Sequence, residues 1–222
     1  MSDDSFIREV NEELRQDQLR SLWRRFGPFV IAAAALVVLA TAAYVGYERW
    51  TESRANRSGD AFARALELAE QGNHDEALSA LEELESSGYG AYPLLARLRA
   101  ATTLAEEGRV EDAIAKLDAV AGDGSAPGAI RDIARLRAAL LLVDHGSYED
   151  VASRVEPLTA DGNPMRHTAR EALALAAWKE GDRDNAMALF GQIIDDPQAP
   201  AGTRQRAEMM SELIAGSGGE SG

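Results

Sequence analysis

Residues 27–47, from Gly27-Pro28-Phe29 to Gly46-Tyr47, hold no charged side chain, whereas the chain beyond them mixes apolar and charged positions in short helical periods. A run of that length, at about 1.5 Å rise per residue, makes a helix of roughly 31 Å, the thickness of the hydrocarbon core of a bilayer. Trp23 and Phe26 stand at one end of the run and Tyr44, Tyr47 and Trp50 at the other, where interfacial aromatics are placed. Pro28 is expected in the first turn of this helix, where its missing N–H costs little. The pattern predicts a transmembrane helix over 27–47. A buried core helix is the alternative, and the length and the aromatic flanks argue against it.

Upstream, Phe6, Ile7, Val10, Leu14, Leu22, Trp23 and Phe26 recur near the helical period, which predicts an amphipathic segment over 1–26. Whether it meets a partner or the membrane, or only leads into the anchor, stays open. Ala40-Thr41-Ala42 has the form of a signal-peptide cleavage site, but six acids against five arginines in residues 1–26 make a poor signal, and the apolar run continues past the site. Arg24-Arg25 lacks the surroundings of a twin-arginine export signal. Basic residues nearly balance across the run, with Arg20, Arg24 and Arg25 before it and Arg49, Arg54 and Arg57 after it. The arginine pair abutting the run favours an N-terminus in the cytoplasm.

Beyond the run, one pattern occurs four times, beginning at Gly72, Gly108, Gly146 and Gly181. Seven residues before each glycine lies an alanine: Ala65, Ala101, Ala139 and Ala174. Five after it comes a small residue (Ala77, Ala113, Val151, Ala186), nine after a bulky one (Leu81, Leu117, Val155, Phe190), and twelve after another (Leu84, Val120, Leu158, Ile193). Ala-Arg-Leu-Arg-Ala-Ala is present at both 96–101 and 134–139. Each unit reads as helix, turn, helix. The glycine turns the chain through positive φ, the small residues let the helices approach, and the bulky ones fill the seam. Pro93, Pro127, Pro164 and Pro200 mark the start of each following helix. A lone pair cannot bury its apolar face, so the pairs are expected to stack into a solenoid.

These repeats resemble tetratricopeptide repeats over roughly residues 58–200, with a last helix expected at 201–215 as a cap. They depart from that pattern where an early aromatic is replaced by Ala61, Arg97, Arg135 and Arg170, and the proline comes late. The fold class that follows is all-α, one N-terminal transmembrane helix and then an α-solenoid of tetratricopeptide-like helix pairs. The expected organisation is a cytoplasmic segment 1–26, the anchor 27–47, a repeat domain 48–215 and a disordered tail 216–222. The whole layout is similar to the bitopic tetratricopeptide proteins known as the ancillary subunit of the bacterial Sec translocon. Leu94-Leu95-Ala96-Arg97-Leu98-Arg99-Ala100 resembles their Leu/Ala/Arg helix. That resemblance implies a single-pass inner-membrane protein with a periplasmic repeat domain, and as partners the translocon, periplasmic chaperones or client chains. A structural organiser of another envelope complex, such as cell-division or cell-wall machinery, is the competing function. In the repeat type resembled, first helices line the concave surface. That register gives Phe62, Leu66, Leu98, Leu136, Leu140, Leu175 and Trp178 as a candidate partner-binding groove. Exposure as a groove and burial between helices or under the terminal helix both stay open.

Charge narrows the partners further. Net charge is −14; residues 1–47 hold six of the 37 acids and five of the 23 bases, leaving a net of −13 beyond them. Such a domain repels phosphate backbones and carries no basic stripe with interleaved aromatics, so no nucleic-acid partner is expected. With no cysteine there is no disulfide, thiolate metal site or thiol nucleophile. His74, His145 and His167 lack metal-ligand spacing, and the first two suit solvated turns. No G-x-S-x-G motif or phosphate-cradling loop is present. No enzyme activity, cofactor, metal or small-molecule substrate is expected. Acidic runs such as Glu82-Glu83-Glu85 read as solvated faces, and Arg97, Arg99, Arg135 and Arg137 are expected to pair with acids of neighbouring repeats.

Overall fold

The computed structural model describes residues 3–217, with side chains described for Arg20 and from Trp23 to Gly216. Among the described residues the structure is all-α, nine α-helices and one 3-10 turn without a strand. The expected apolar face of Phe6, Ile7, Val10, Leu14 and Leu22 and the tail from residue 218 lie outside what is described. Contacts divide the chain into two units, residues 1–56 and 57–222.

The first unit is helical, part of α1 (Asp3–Glu70). This helix is long and apolar enough to cross a membrane: its most apolar window has a mean hydropathy of 2.3 with none of its residues buried. Phe29, Leu36 and Leu39 are 72%, 68% and 70% exposed. Thr41 donates its hydroxyl to the Val37 carbonyl at 2.8 Å, so this polar group is satisfied within the helix itself. Pro28 is not in a first turn. The helix begins far upstream, so the proline removes an interior N–H and frees the Arg24 carbonyl. Arginines lie against aromatic rings at both ends of the apolar run. The Arg25 guanidinium is 5.9 Å from the Phe26 ring and that of Arg54 is 5.0 Å from the Trp50 ring, which itself lies 6.2 Å from Tyr47.

In the second unit the end of α1 pairs with α2 (His74–Ser87), and α3 (Tyr92–Glu106) with α4 (Val110–Gly122). Next, α5 (Gly128–His145) pairs with α6 (Tyr148–Val155), which a 3-10 turn at Glu156–Leu158 extends. Finally, α7 (Arg166–Lys179) pairs with α8 (Arg183–Ile194), and α9 (Ala201–Ser217) packs on both. Every position singled out by the four-fold pattern is inside. The four alanines before the glycines are at most 1% exposed, the four small residues after them 0%, and the bulky residues of both later positions at most 3%. Small side chains on both helices bring the backbones together, and the large ones close the seam.

Three of the four glycines turn as expected. Gly72, Gly108 and Gly181 have φ of 81°, 76° and 87°. The next residue's N–H then returns to the carbonyl five residues back: Asn73 to Leu68, Arg109 to Leu104 and Asp182 to Ala177, each at 2.9 Å. Gly146 departs, with φ −121° and ψ −171°. A Cβ there would lie 2.6 Å from Leu142 Cδ2 and 3.2 Å from the Leu142 carbonyl, so a larger residue would displace the Leu142 side chain. Other groups secure that turn. Ser147 and Asp150 form a capping box on α6. The Lys179 ammonium donates to the carbonyls of Val143, Asp144 and Gly146 at 3.0, 2.7 and 3.0 Å, placing a cation at the C-terminal end of α5. Leu158, expected on a helix, sits in the 3-10 turn because Pro157 offers no N–H, yet it stays buried.

The apolar core is segmented along the chain. One cluster joins the end of α1 to α2, α3 and α4, another α3, α4 and α5, a third α5, α6 and α7, and a fourth α7, α8 and α9. Each cluster lies between successive helices, the arrangement of a solenoid. Ala139, with no exposed surface, lies in the third cluster with Val151 and Val155. Replacing it with leucine should force α5 from α6 and destabilise the domain by about 1–3 kcal/mol. Thermal or urea unfolding of Ala139→Leu checks this, and an unchanged midpoint contradicts the packing described.

Candidate functional site

The seven residues expected to line a groove fall on the first helices of the pairs, and the structure sorts them into two kinds. Phe62, Leu98 and Leu136 stand ten residues before their glycines and are half-buried. Phe62 packs on the first core cluster, its ring 6.1 Å from that of Tyr92; Leu98 packs on the second cluster and Leu136 on the third. Leu66 and Leu175 are also half-buried, and Leu175 leans on the cluster around Phe190. Leu140 and Trp178 are open, 41% and 36% exposed. Leu95 on α3 is 39% exposed and was absent from the expected set, although its helical spacing from Arg99 and Thr102 puts it on their face.

The four arginines of the repeated hexapeptide differ in their partners. Arg97 does pair across repeats, holding Glu85 of α2 and Asp123 at 2.9 Å each. The others correct the expectation. Arg135 pairs within its own helix with Asp132 at 2.9 Å, and Arg99 comes no nearer than 3.7 Å to Glu106 on its own helix. Arg137 reaches across to the Thr102 hydroxyl of α3 and has no acidic partner among the described residues. Place in the hexapeptide does not explain the split, since Arg97 and Arg135 both stand eleven residues before their glycines: Arg97 meets acids on α2 and at the end of α4, and Arg135 meets one on its own helix. Second helices are linked separately, α4 to α2 by Lys116–Glu85 at 3.3 Å and α6 to α4 by Arg154–Asp118 at 2.6 Å.

A polar cluster on α7 escaped the sequence reading. Arg166, His167, Arg170 and Glu171 are all buried. Arg206 of α9 grips Glu171 through two hydrogen bonds of 2.6 and 2.8 Å, and Arg170 holds the Thr159 carbonyl and Asp161. His167, expected to lack a metal partner, touches Asp196 at 2.8 Å through Nε2. The signal was present in the repeat alignment. Glu171 occupies the place that Phe62, Leu98 and Leu136 hold in the other repeats, so the fourth first helix exchanges apolar packing for an ion pair to the cap. No group of three or more His, Asp or Glu side chains among the described residues is placed to hold a metal.

An all-helical stack of repeated helix pairs is the architecture of a repeat scaffold. The family described as tetratricopeptide repeat-like domain matches residues 20–162, well over half the chain, and this protein belongs to it. A second match, described as tetratricopeptide repeat, covers residues 136–200. No curated protein and no solved structure matches the chain. The first match begins before the apolar run, so the shared pattern includes that run as well as the first three glycine turns.

The Asp196 carboxylate accepts hydrogen bonds from Arg166 at 2.9 Å, from the Gln198 backbone N–H and from His167, which hold it well below the usual carboxylate range. A carboxyl depressed in the fold adds stability above its unfolded pKa and loses it as pH falls through the folded value. Asp196→Asn should therefore melt lower than the parent at neutral pH. The difference should shrink as pH drops from about 4 towards 2. Melting followed by circular dichroism across that range checks it, and a pH-independent difference contradicts it.

Proposed function

We propose that this protein is a membrane-anchored adaptor, held by residues 27–47 in a bacterial inner membrane, with its N-terminus cytoplasmic and its repeat domain periplasmic. There it serves the Sec translocon by keeping chaperones or emerging chains nearby. The anchor is supported by an apolar helix whose side chains no other part of its unit covers. Binding of proteins is supported by family membership and by one observation above all. In a domain that buries every apolar position of its repeat pattern, Leu95, Leu140 and Trp178 remain open on the first helices. The translocon itself rests on likeness of layout: short leading segment, single anchor, repeat domain.

Alkaline phosphatase fused after Ala215 should be active in a bacterial host; an inactive fusion at normal abundance reverses the orientation. Purification in mild detergent should recover translocon subunits or periplasmic chaperones, whereas cell-division or cell-wall proteins alone would favour the structural-organiser role.

Alanine substitutions should separate the two kinds of groove residue. Leu140→Ala and Trp178→Ala should lose those partners with melting unchanged. Leu98→Ala and Leu136→Ala should lose roughly 1–3 kcal/mol of stability, less than a fully buried leucine because each is half-exposed. Retention of partners by Leu140→Ala and Trp178→Ala would move the functional surface away from the first helices.

A further inference from the structure

We propose that Arg20, Trp23, Arg24 and Pro28 of α1 form a headgroup site for one anionic phospholipid, phosphatidylglycerol. Its phosphodiester takes the two guanidinium groups, and a hydroxyl of its glycerol headgroup donates to the Arg24 carbonyl. This rests on residues 27–47 lying in a bilayer.

The two ends of the apolar run differ in charge. From residue 18 to residue 47 the chain carries Arg20, Arg24 and Arg25 and no acid. Past the run, Arg49, Arg54 and Arg57 stand among Glu48, Glu52 and Asp60, so charge is balanced along the helix itself. A helical residue meets the side chains three and four places away. For Arg24 these are Arg20, Ser21, Gly27 and Pro28, so α1 gives it no counter-charge and sets a second arginine one turn from it. Asp17, the nearest acid in sequence, is three places before Arg20 and seven before Arg24. Arg25 is turned towards the Phe26 ring. Two guanidinium groups one turn apart suit a single phosphodiester, whose oxygens accept from both. The backbone adds a second demand. Gly27 is buried although every other residue from Trp23 to Trp50 is at least partly open, because the Trp23 indole lies over it: a Cβ on Gly27 would stand 3.5 Å from the indole Nε1. One place on, Pro28 supplies no N–H to the Arg24 carbonyl. At the edge of the hydrocarbon such a carbonyl is costly until a donor reaches it. Phosphatidylcholine has no donor in its headgroup. Phosphatidylethanolamine has one, but its ammonium would add a third cation beside two arginines. Phosphatidylglycerol combines a singly anionic phosphate with hydroxyl donors, and so meets both demands.

The test uses the full chain with Trp50→Phe and Trp178→Phe, which leaves Trp23 as the one fluorophore, in vesicles of phosphatidylcholine and a test lipid in equal parts. One of the two lipids carries bromine near the top of its acyl chains, and quenching of Trp23 reports which lipid lies beside it. Phosphatidylglycerol should be enriched about fivefold over phosphatidylcholine at low salt. Arg24→Gln should bring that ratio close to parity, whereas Arg25→Gln, which removes the same charge from a neighbouring face, should leave it. Phosphatidylmethanol has the same phosphodiester and charge without the hydroxyls, and phosphatidylglycerol should be favoured over it about threefold. Pro28→Ala returns an N–H to the Arg24 carbonyl, so it should erase this second preference and keep the first. Equal loss in Arg24→Gln and Arg25→Gln would mean diffuse attraction and overturn the site. Enrichment of phosphatidylethanolamine or phosphatidylmethanol as strong as that of phosphatidylglycerol would overturn it too. If every brominated lipid quenches Trp23 equally, the anchor stands and the headgroup site alone fails. If none quenches it, Trp23 is not at a bilayer and the anchor fails with the site.

Discussion

Ala65, Ala101, Ala139 and Ala174 stand where the first helix of each pair meets the second, and with at most 1% of their surface exposed they set how near the two backbones come. The rest of the repeat unit follows from that distance. With Ala77, Ala113, Val151 and Ala186 small on the other side, the residues nine and twelve after each glycine reach into the seam, and those of the first helix meet them. Phe190, Leu81 and Leu117 are among the largest side chains fully buried, each burial contributing roughly 1.5–3 kcal/mol, but only because the alanines let them in. The core therefore consists of successive seams, and each helix depends on its neighbours.

Electrostatics works on top of that packing. The domain is acidic, so its few cations are individually informative. Arg97 and Arg154 join one repeat to the next, and Lys179 secures the one turn whose glycine does not adopt positive φ. At the far end the pattern changes. A solenoid must stop against water, and the fourth repeat adds polar links there, Arg206 to Glu171, which stands where earlier repeats have leucine or phenylalanine, and Arg166 with a hydrogen bond from His167 to Asp196. Such a terminal interface tolerates hydration better than an apolar seam, at the expense of sensitivity to acid.

Arg99 and Arg137 fit neither scheme. They follow the repeat but join no acid across repeats, and they flank open leucines rather than a seam.

The sequence by itself determined the helix pairs, their order, the seam residues and the apolar helix, because all of these are periodicities of one chain: charge absent over a bilayer's length, and four copies of one spacing. Even the cap was legible, expected to end at 215 and observed as α9 to Ser217. Half-buried and exposed leucines of the first helices were not distinguishable, since Leu98 and Leu140 are equally apolar; only the packing of Leu98 on the cluster of α3, α4 and α5 and the 41% exposure of Leu140 separate them. The same holds for the arginines, identical in two copies of one hexapeptide. Arg97 finds Glu85 and Asp123, while Arg135 at the same place in the second copy finds Asp132 of its own helix, because the partner depends on what lies opposite. Period gives the face of a helix, but tertiary structure decides what stands across from it.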